Sequence, residues 1–203
     1  MTKKPEIVKE EDLIKRKDGL VYKKYTKIPF TGTSEQFHTN GQLRIRHNYK
    51  NGIHHGSFET FDDNRQLKTR GNYKNGTDNG YYECFYVNTK KVQILNKGNI
   101  KNGKMEGLWE GYYINGQLHG RENYKNGNLE GLFEMFYKNG QLKERVNYKN
   151  GKQEGLCEGF HEKGQLSFRT NYKNGKREGL HEEYSKKNQL LLRENYKTGK
   201  LVE

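Results

Sequence analysis

Proline and cysteine are nearly missing from this chain of 203 residues, with two of each, and only 30% of the residues are hydrophobic. So little aliphatic mass excludes a thick globular core, although it suffices for a thin sheet covered by aromatic rings. No apolar run resembles a signal peptide or a membrane span, so a cytoplasmic protein is expected. Helical periodicity is absent from the body of the chain. So polar a composition also suits disorder, but the aromatic residues recur at fixed positions, which argues against it.

What is abundant is organised. The run Asn-Tyr-Lys-Asn-Gly ends at Gly52, Gly76, Gly127, Gly151 and Gly175, with a degraded copy ending at Gly103 and Asn195-Tyr196-Lys197-Thr198-Gly199 last. The step is 24 residues, except for one of 27. A second series, Gly32, Gly56, Gly80, Gly107, Gly131, Gly155 and Gly179, keeps the same spacing and opens seven repeats. Such a period marks an array in which neighbours bury what no repeat could bury alone. The chain divides into a charged lead over residues 1–18, a degenerate capping hairpin over 19–31 and seven hairpin repeats over 32–203. Ile7, Val8, Leu13 and Ile14 are the only apolar anchors of the lead, which suits either a short helix or disorder. Cys84 and Cys157 lie more than three repeats apart, which excludes a local disulfide and fits a reducing compartment.

Within the repeat Gly107 to Gly127, two strand-like runs flank Asn115-Gly116, a pair suited to a type I′ turn with positive φ at both residues. Residues whose numbers sum to 231 then face each other. Glu110 meets Arg121, and the other repeats give Glu35 with Arg46, Glu59 with Arg70, Glu83 with Lys97, Glu134 with Arg145, Glu158 with Arg169 and Glu182 with Arg193. Cross-strand pairs of opposite charge contribute roughly 0.2–1 kcal/mol each, so they pin the register. The same register sets Gly107 against Tyr124, a ring expected to cover backbone that glycine leaves bare; in the long repeat Gly80 meets Ile100. Alternation puts Gly107, Trp109, Gly111, Tyr113, Leu118 and Tyr124 on one face, and Leu108, Glu110, Tyr112, His119, Arg121 and Asn123 on the other. The fold class expected is all-β, an elongated antiparallel single-sheet array of hairpins, about fourteen strands and on the order of 65 Å long at ~4.8 Å per strand.

Glu-Gly-Leu-Trp-Glu, Tyr-Tyr, Asn-Gly-Gln-Leu and Asn-Tyr-Lys-Asn-Gly-Lys resemble the units of the bacterial MORN-variant repeat family, and the resemblance covers residues 32 to 199. Many such arrays look like YwqK-type antitoxins or immunity proteins, which implies a non-enzymatic partner that binds and neutralises a toxin. The related true MORN repeats imply the alternative, a membrane-associated scaffold. Asn64-Arg65, Lys163-Gly164 and Lys187-Asn188 depart from Asn-Gly at three turns, and Val87 to Gln93 enlarges a fourth.

Chemistry finds little foothold. His38 and His161 stand where Tyr113 does and His181 where Trp109 does, so the histidines read as substitutions within the repeat. Cys157 and His181 fall two strands apart, roughly 9.6 Å, too far to share a zinc ion. The Glu and Arg ladder recurs in every repeat, whereas an active site needs one special constellation. No phosphate loop, nucleophile elbow or metal motif is present. Neither an enzyme nor a cofactor is expected.

Two features suit binding. Lys74, Lys101, Lys125, Lys149 and Lys173 precede the same turn, and with a net charge of +13 they form either a row that steers an acidic partner or a solvated edge that discourages aggregation. Tyr82, Tyr86, Trp109, Tyr113, Phe133, Met135 and Tyr137 vary between repeats and suit either an interface core or the sheet's own cover. The function expected is non-enzymatic protein binding, as an antitoxin or immunity protein against a toxin with an acidic surface. The alternative is a scaffold that binds anionic membrane lipid or nucleic acid through the Lys edge.

Overall fold

The computed structural model describes residues 5–202 and divides the chain into two compact units, the first ending at Lys104 and the second beginning at Met105. Their strands number nineteen, and no α-helix occurs among the described residues.

In the first unit, β1 (Ile7–Lys9) runs parallel to β4 (Gly32–Phe37), and an antiparallel meander follows through β5 (Leu43–Lys50), β6 (Ile53–Phe61) and β7 (Leu67–Lys74). The last of these pairs with β8 (Thr77–Asp78) and with β9 (Gly80–Tyr86), which in turn pairs with β10 (Gln93–Lys101). Over its described residues the lead forms two short strands joined by one 3₁₀ turn. A 3₁₀ turn at Glu10–Asp12 carries β1 into β2 (Leu13–Lys15), which pairs with β3 (Val21–Lys23) in a small second sheet. That hairpin starts upstream of the 19–31 segment read as a cap, and Tyr22 makes a single bridge to Pro29. Val8, Phe30 and Tyr49 are buried together, with Leu13 and Val21 packed against them.

The second unit is antiparallel throughout. Its strands are β11 (Lys104–Tyr112), β12 (Leu118–Lys125), β13 (Asn128–Phe136), β14 (Leu142–Lys149) and β15 (Lys152–Phe160), then β16 (Leu166–Lys173), β17 (Lys176–Tyr184), β18 (Leu190–Lys197) and β19 (Lys200–Val202). Each pairs with the next.

The two turns of each repeat exchange the roles expected of them. Type I′ geometry occurs at the Tyr-Lys-Asn-Gly turn, where Asn126 has φ 53° and Gly127 φ 84°, and Lys125 pairs directly with Asn128. At Asn115-Gly116 only the glycine has positive φ. There the Tyr113 and Gly116 amides donate to the Gln117 and Tyr113 carbonyls, both at 2.8 Å, closing a three-residue loop. One left-handed residue is all this loop needs, which is why Arg65 (φ 63°) and Asn188 (φ 58°) can replace the glycine.

The longer loop shifts the register locally. Pairs sum to 231 from Gly107–Tyr124 to Gly111–Gly120, and then Tyr112 meets Leu118, leaving His119 as an extra, bulged residue. Cross-strand partners share a face, so Leu118 joins Tyr112, and the His119 ring packs edge-on against Tyr113 at 4.7 Å. Both face assignments from alternation therefore reverse at this bulge.

A second correction concerns the opening glycines. They pair with the tyrosines as expected, but a Cβ at Gly107, Gly155 or Gly179 would meet nothing within 4 Å, so no ring lies over them. Their φ values, 71° to 84°, provide the reason. Between Glu122–Phe133 and Tyr124–Leu129, three residues of β13 oppose Asn123 alone, and the bulge requires a left-handed residue. The tyrosine leans instead onto its diagonal neighbour: Tyr148 packs against Phe133 at 5.8 Å, Tyr73 against Phe58 at 4.8 Å and Tyr196 against His181 at 6.2 Å.

Candidate functional site

The aromatic residues singled out by sequence are built into the sheet. In the first unit Tyr82 and Tyr86 lie half-buried on β9. Tyr82 approaches Phe58 at 6.3 Å, and burial pushes its phenol up. In the second unit, successive cross-strand pairs align Trp109, Glu122, Phe133, Val146, Cys157, Thr170 and His181 in one row. Trp109 is only 8% exposed, and Val146, Cys157, Thr170 and His181 are buried. Met135 stands in the adjoining row, paired with Gly120 and Glu144. A sheet face that covers itself this way holds its rings as core.

Tyr113 and Tyr137 have a linking role. Their hydroxyls donate to the Phe136 and Phe160 carbonyls, at 2.8 and 2.7 Å, on the following hairpin. His38 and His161 make the equivalent bond through Nε2, to Phe61 and Tyr184, at 3.1 and 3.0 Å. The histidines are thus substitutions that keep the repeat's bond. Cys157 and His181 are both partners of Thr170 and so stand two strands apart. Burial, with Glu144 beside it, pushes the Cys157 thiol up to about 12, which makes it inert. Among the described residues no group of three or more His, Cys, Asp or Glu side chains could hold a metal ion.

The charged ladder has the expected Cα register. Its side chains also reach forward to the next hairpin: Arg46 bonds Glu35 at 2.8 Å and Glu59 at 3.1 Å, Arg145 bonds Glu158 at 2.6 Å, and Arg121 and Arg169 bond Glu134 and Glu182. Glu182 is 1% exposed. Bonds from Arg169 and Arg193, then Tyr184, hold its carboxyl down at about 2.

Two surfaces remain open to a partner. The first is the lysine edge: Lys74 and Lys101 in the first unit, and Lys125, Lys149 and Lys173 in the second, are exposed and end their strands beside the type I′ turn. In the second unit Lys149 faces Lys152, Lys173 faces Lys176 and Lys197 faces Lys200. Like charges directly opposite are destabilising. Glu130, Glu154 and Glu178 lie at the same turns, where they accept the Asn150, Asn174 and Thr198 amides at 2.7, 2.8 and 2.7 Å.

Sequence reasoning missed the second surface. On the face opposite Trp109, Leu108, Leu132, Leu156 and Leu180 are 40 to 48% exposed, each paired with an asparagine of the next strand. Alternate strands put them about 9.6 Å apart in one line. Beside them, two residues along each strand, runs the charged ladder, in which Glu110, Glu134, Glu158 and Glu182 alternate with the exposed Arg121, Arg145, Arg169 and Arg193. The signal was available, since Leu follows Gly in four consecutive repeats.

Comparison with known proteins finds a likeness for four of the hairpins. The model of the MORN repeat variant matches residues 30–51, 105–126, 129–150 and 153–174. Those four stretches are similar to MORN-variant repeats. Three of the four matched MORN-variant stretches are consecutive and lie in the second unit, where the leucine line runs. No curated protein matches the sequence. Among solved structures, a mutant of Staphylococcus aureus TarM in complex with fondaparinux, alpha-GlcNAc-glycerol and UDP is 14% identical, covering 49% of this chain and 19% of its own at a TM-score of 0.32. The GtfA/B complex bound to UDP and GlcNAc is 13% identical, covering 61% and 25% at 0.22. A Bacteroides fragilis protein of unknown function is 9% identical, covering 82% and 92% at 0.15. The chain thus spans a quarter or less of the first two, and scores this low define neither fold nor function. MORN repeats are protein- or lipid-binding repeats.

Proposed function

We propose that these MORN-variant hairpins form a non-enzymatic module that binds another protein, and that the chain acts in the bacterial cytoplasm as an antitoxin or immunity protein, neutralising a toxin by occluding it. The observation that carries this reading is the exposed leucine line of the second unit. Four large aliphatic side chains repeated on one face, beside arginines already paired with glutamates, suit a partner whose contact surface is apolar. The toxin-neutralising role rests on the resemblance of the repeats to antitoxin arrays. Lysines along the edge would raise the association rate with an acidic surface and make it fall with added salt.

The test is co-expression with the product of the adjacent gene in a growth assay. The account expects Leu132→Asp with Leu156→Asp to abolish protection while the variant stays folded. Unchanged protection would remove the leucine line from the account. One observation favours a second reading, a scaffold on anionic lipid or nucleic acid, because three facing lysine pairs tolerate a repulsion that a polyanion would relieve. Co-sedimentation with anionic liposomes or oligonucleotides at physiological salt checks it, and an empty pellet counts against it.

A further inference from the structure

The first unit contains a group of side chains that the repeats alone do not explain. His47 on β5 and His54 on β6 bring their rings to 4.6 Å. His54 Nε2 is hydrogen-bonded to the Tyr49 hydroxyl at 2.7 Å, and its ring stacks on Tyr73 at 4.9 Å. In the second unit the equivalents of His47 are Glu122, Val146, Thr170 and Glu194, and those of His54 are Met105, Leu129, Gln153, Arg177 and Leu201. The paired histidines lie beside a part of the sheet that a separate segment covers.

That cover is the lead. Val8, Leu13 and Val21 pack on Phe30 and Tyr49, and the Val21 amide donates to the Gly52 carbonyl at 2.9 Å. Between cover and sheet lies a cavity of about 360 Å³, with Glu10, Leu13 and Lys15 on the cover side and Tyr49, Ile53 and His54 on the sheet side. Protons therefore have a route to the His54 imidazole, which touches that of His47. The titratable groups facing them are Glu10 and Lys15 from the cover, and Tyr49, Tyr73 and Asp78 from the sheet.

We propose that residues 6–23 form an acid-sensitive latch, which protonation of the His47–His54 pair loosens, uncovering the ring cluster of Tyr49, His54, Phe58 and Tyr73. Two imidazolium rings in contact repel each other, and both would be charged where the cover shields them from water. Burial holds both histidines below the ordinary value of 6.5, and His47 is lowered further by its neighbour His54. Lys15 acts in the same direction on His54, while Glu10 and Asp78 oppose it. The sign follows. A chain released from the fold binds more protons near pH 6 than the closed form does, so the closed form is fully favoured above about pH 6.5 and loses stability as pH falls through that region.

Hydrogen exchange of the full chain at about pH 7.5 and about pH 5.5, corrected for intrinsic exchange, tests the latch. Protection over residues 6–23 should fall several-fold on acidification, and the His47→Gln, His54→Gln double variant should lose that dependence. Equal protection at both pH values in the unaltered chain would overturn the proposal, as would the same loss in the double variant. Imidazole titration of the unaltered chain by NMR needs no variant. Midpoints below 6.5 are expected, and a midpoint at or above it for both rings would also overturn the latch.

Discussion

At the scale of single residues, the main lesson is that one residue type serves different physical ends. Trp109, the single tryptophan, looked suited to an interface because it is large and differs from its counterparts. Its burial, in the row that also holds Phe133, makes it part of the sheet's own cover. Trp109→Ala should cost about 3–5 kcal/mol of the second unit's stability, measured by denaturant unfolding; a loss well below that range would mean the ring is dispensable as cover. Glu182 carries a pH prediction. Its folded-state carboxyl is held at about 2, against an ordinary value of 4.5, so its contribution is complete above pH 4.5 and disappears as pH falls toward 2. Glu182→Gln should flatten the acid limb of stability over that window. An unchanged limb would show that other carboxylates dominate acid unfolding.

At the scale of elements, the strands and their charge pairs were legible because a 24-residue repeat presents the same evidence several times. Glu110 opposite Arg121 followed from counting alone. The turns were not equally legible. Both carry Asn-Gly, and only the hydrogen bonds distinguish a two-residue loop at Asn126-Gly127 from a three-residue loop ending at Gly116. That extra residue and the bulge at His119 offset each other, so the ladder register was right although Leu118 and His119 were assigned to the wrong faces. The opening glycines were found by spacing, but their positive φ was invisible until the bulge opposite Asn123 was seen. Connections between hairpins were likewise hidden, because a bond from Tyr137 to a carbonyl 23 residues ahead has no local sequence signature. Tyr137→Phe should lower stability by about 1 kcal/mol, and no measurable change would mean that packing alone joins those hairpins.

At the scale of the whole molecule, the repeats commit most of their side chains to one another and leave a partner little choice of surface. The Trp109 face of the second unit is closed by its own rings. Its opposite face keeps a line of leucines beside the glutamate–arginine ladder, and the turn edge keeps facing lysine pairs. The candidate site was thus half legible: the lysine edge follows from the motif, whereas the leucine line emerges only once strand pairing shows which side is already covered. In the first unit the lead closes over the histidine pair, a local feature that composition could not reveal.

The central claim, that the leucine line of the second unit is the protein-binding surface, is tested most directly by titrating the adjacent gene's product into the chain by calorimetry. Leu132→Asp with Leu156→Asp, shown to be folded by circular dichroism, should weaken binding at least tenfold, or about 1.4 kcal/mol. Binding that survives those changes intact, but is lost on Lys149→Glu with Lys173→Glu, would contradict the claim and move the interface to the lysine edge.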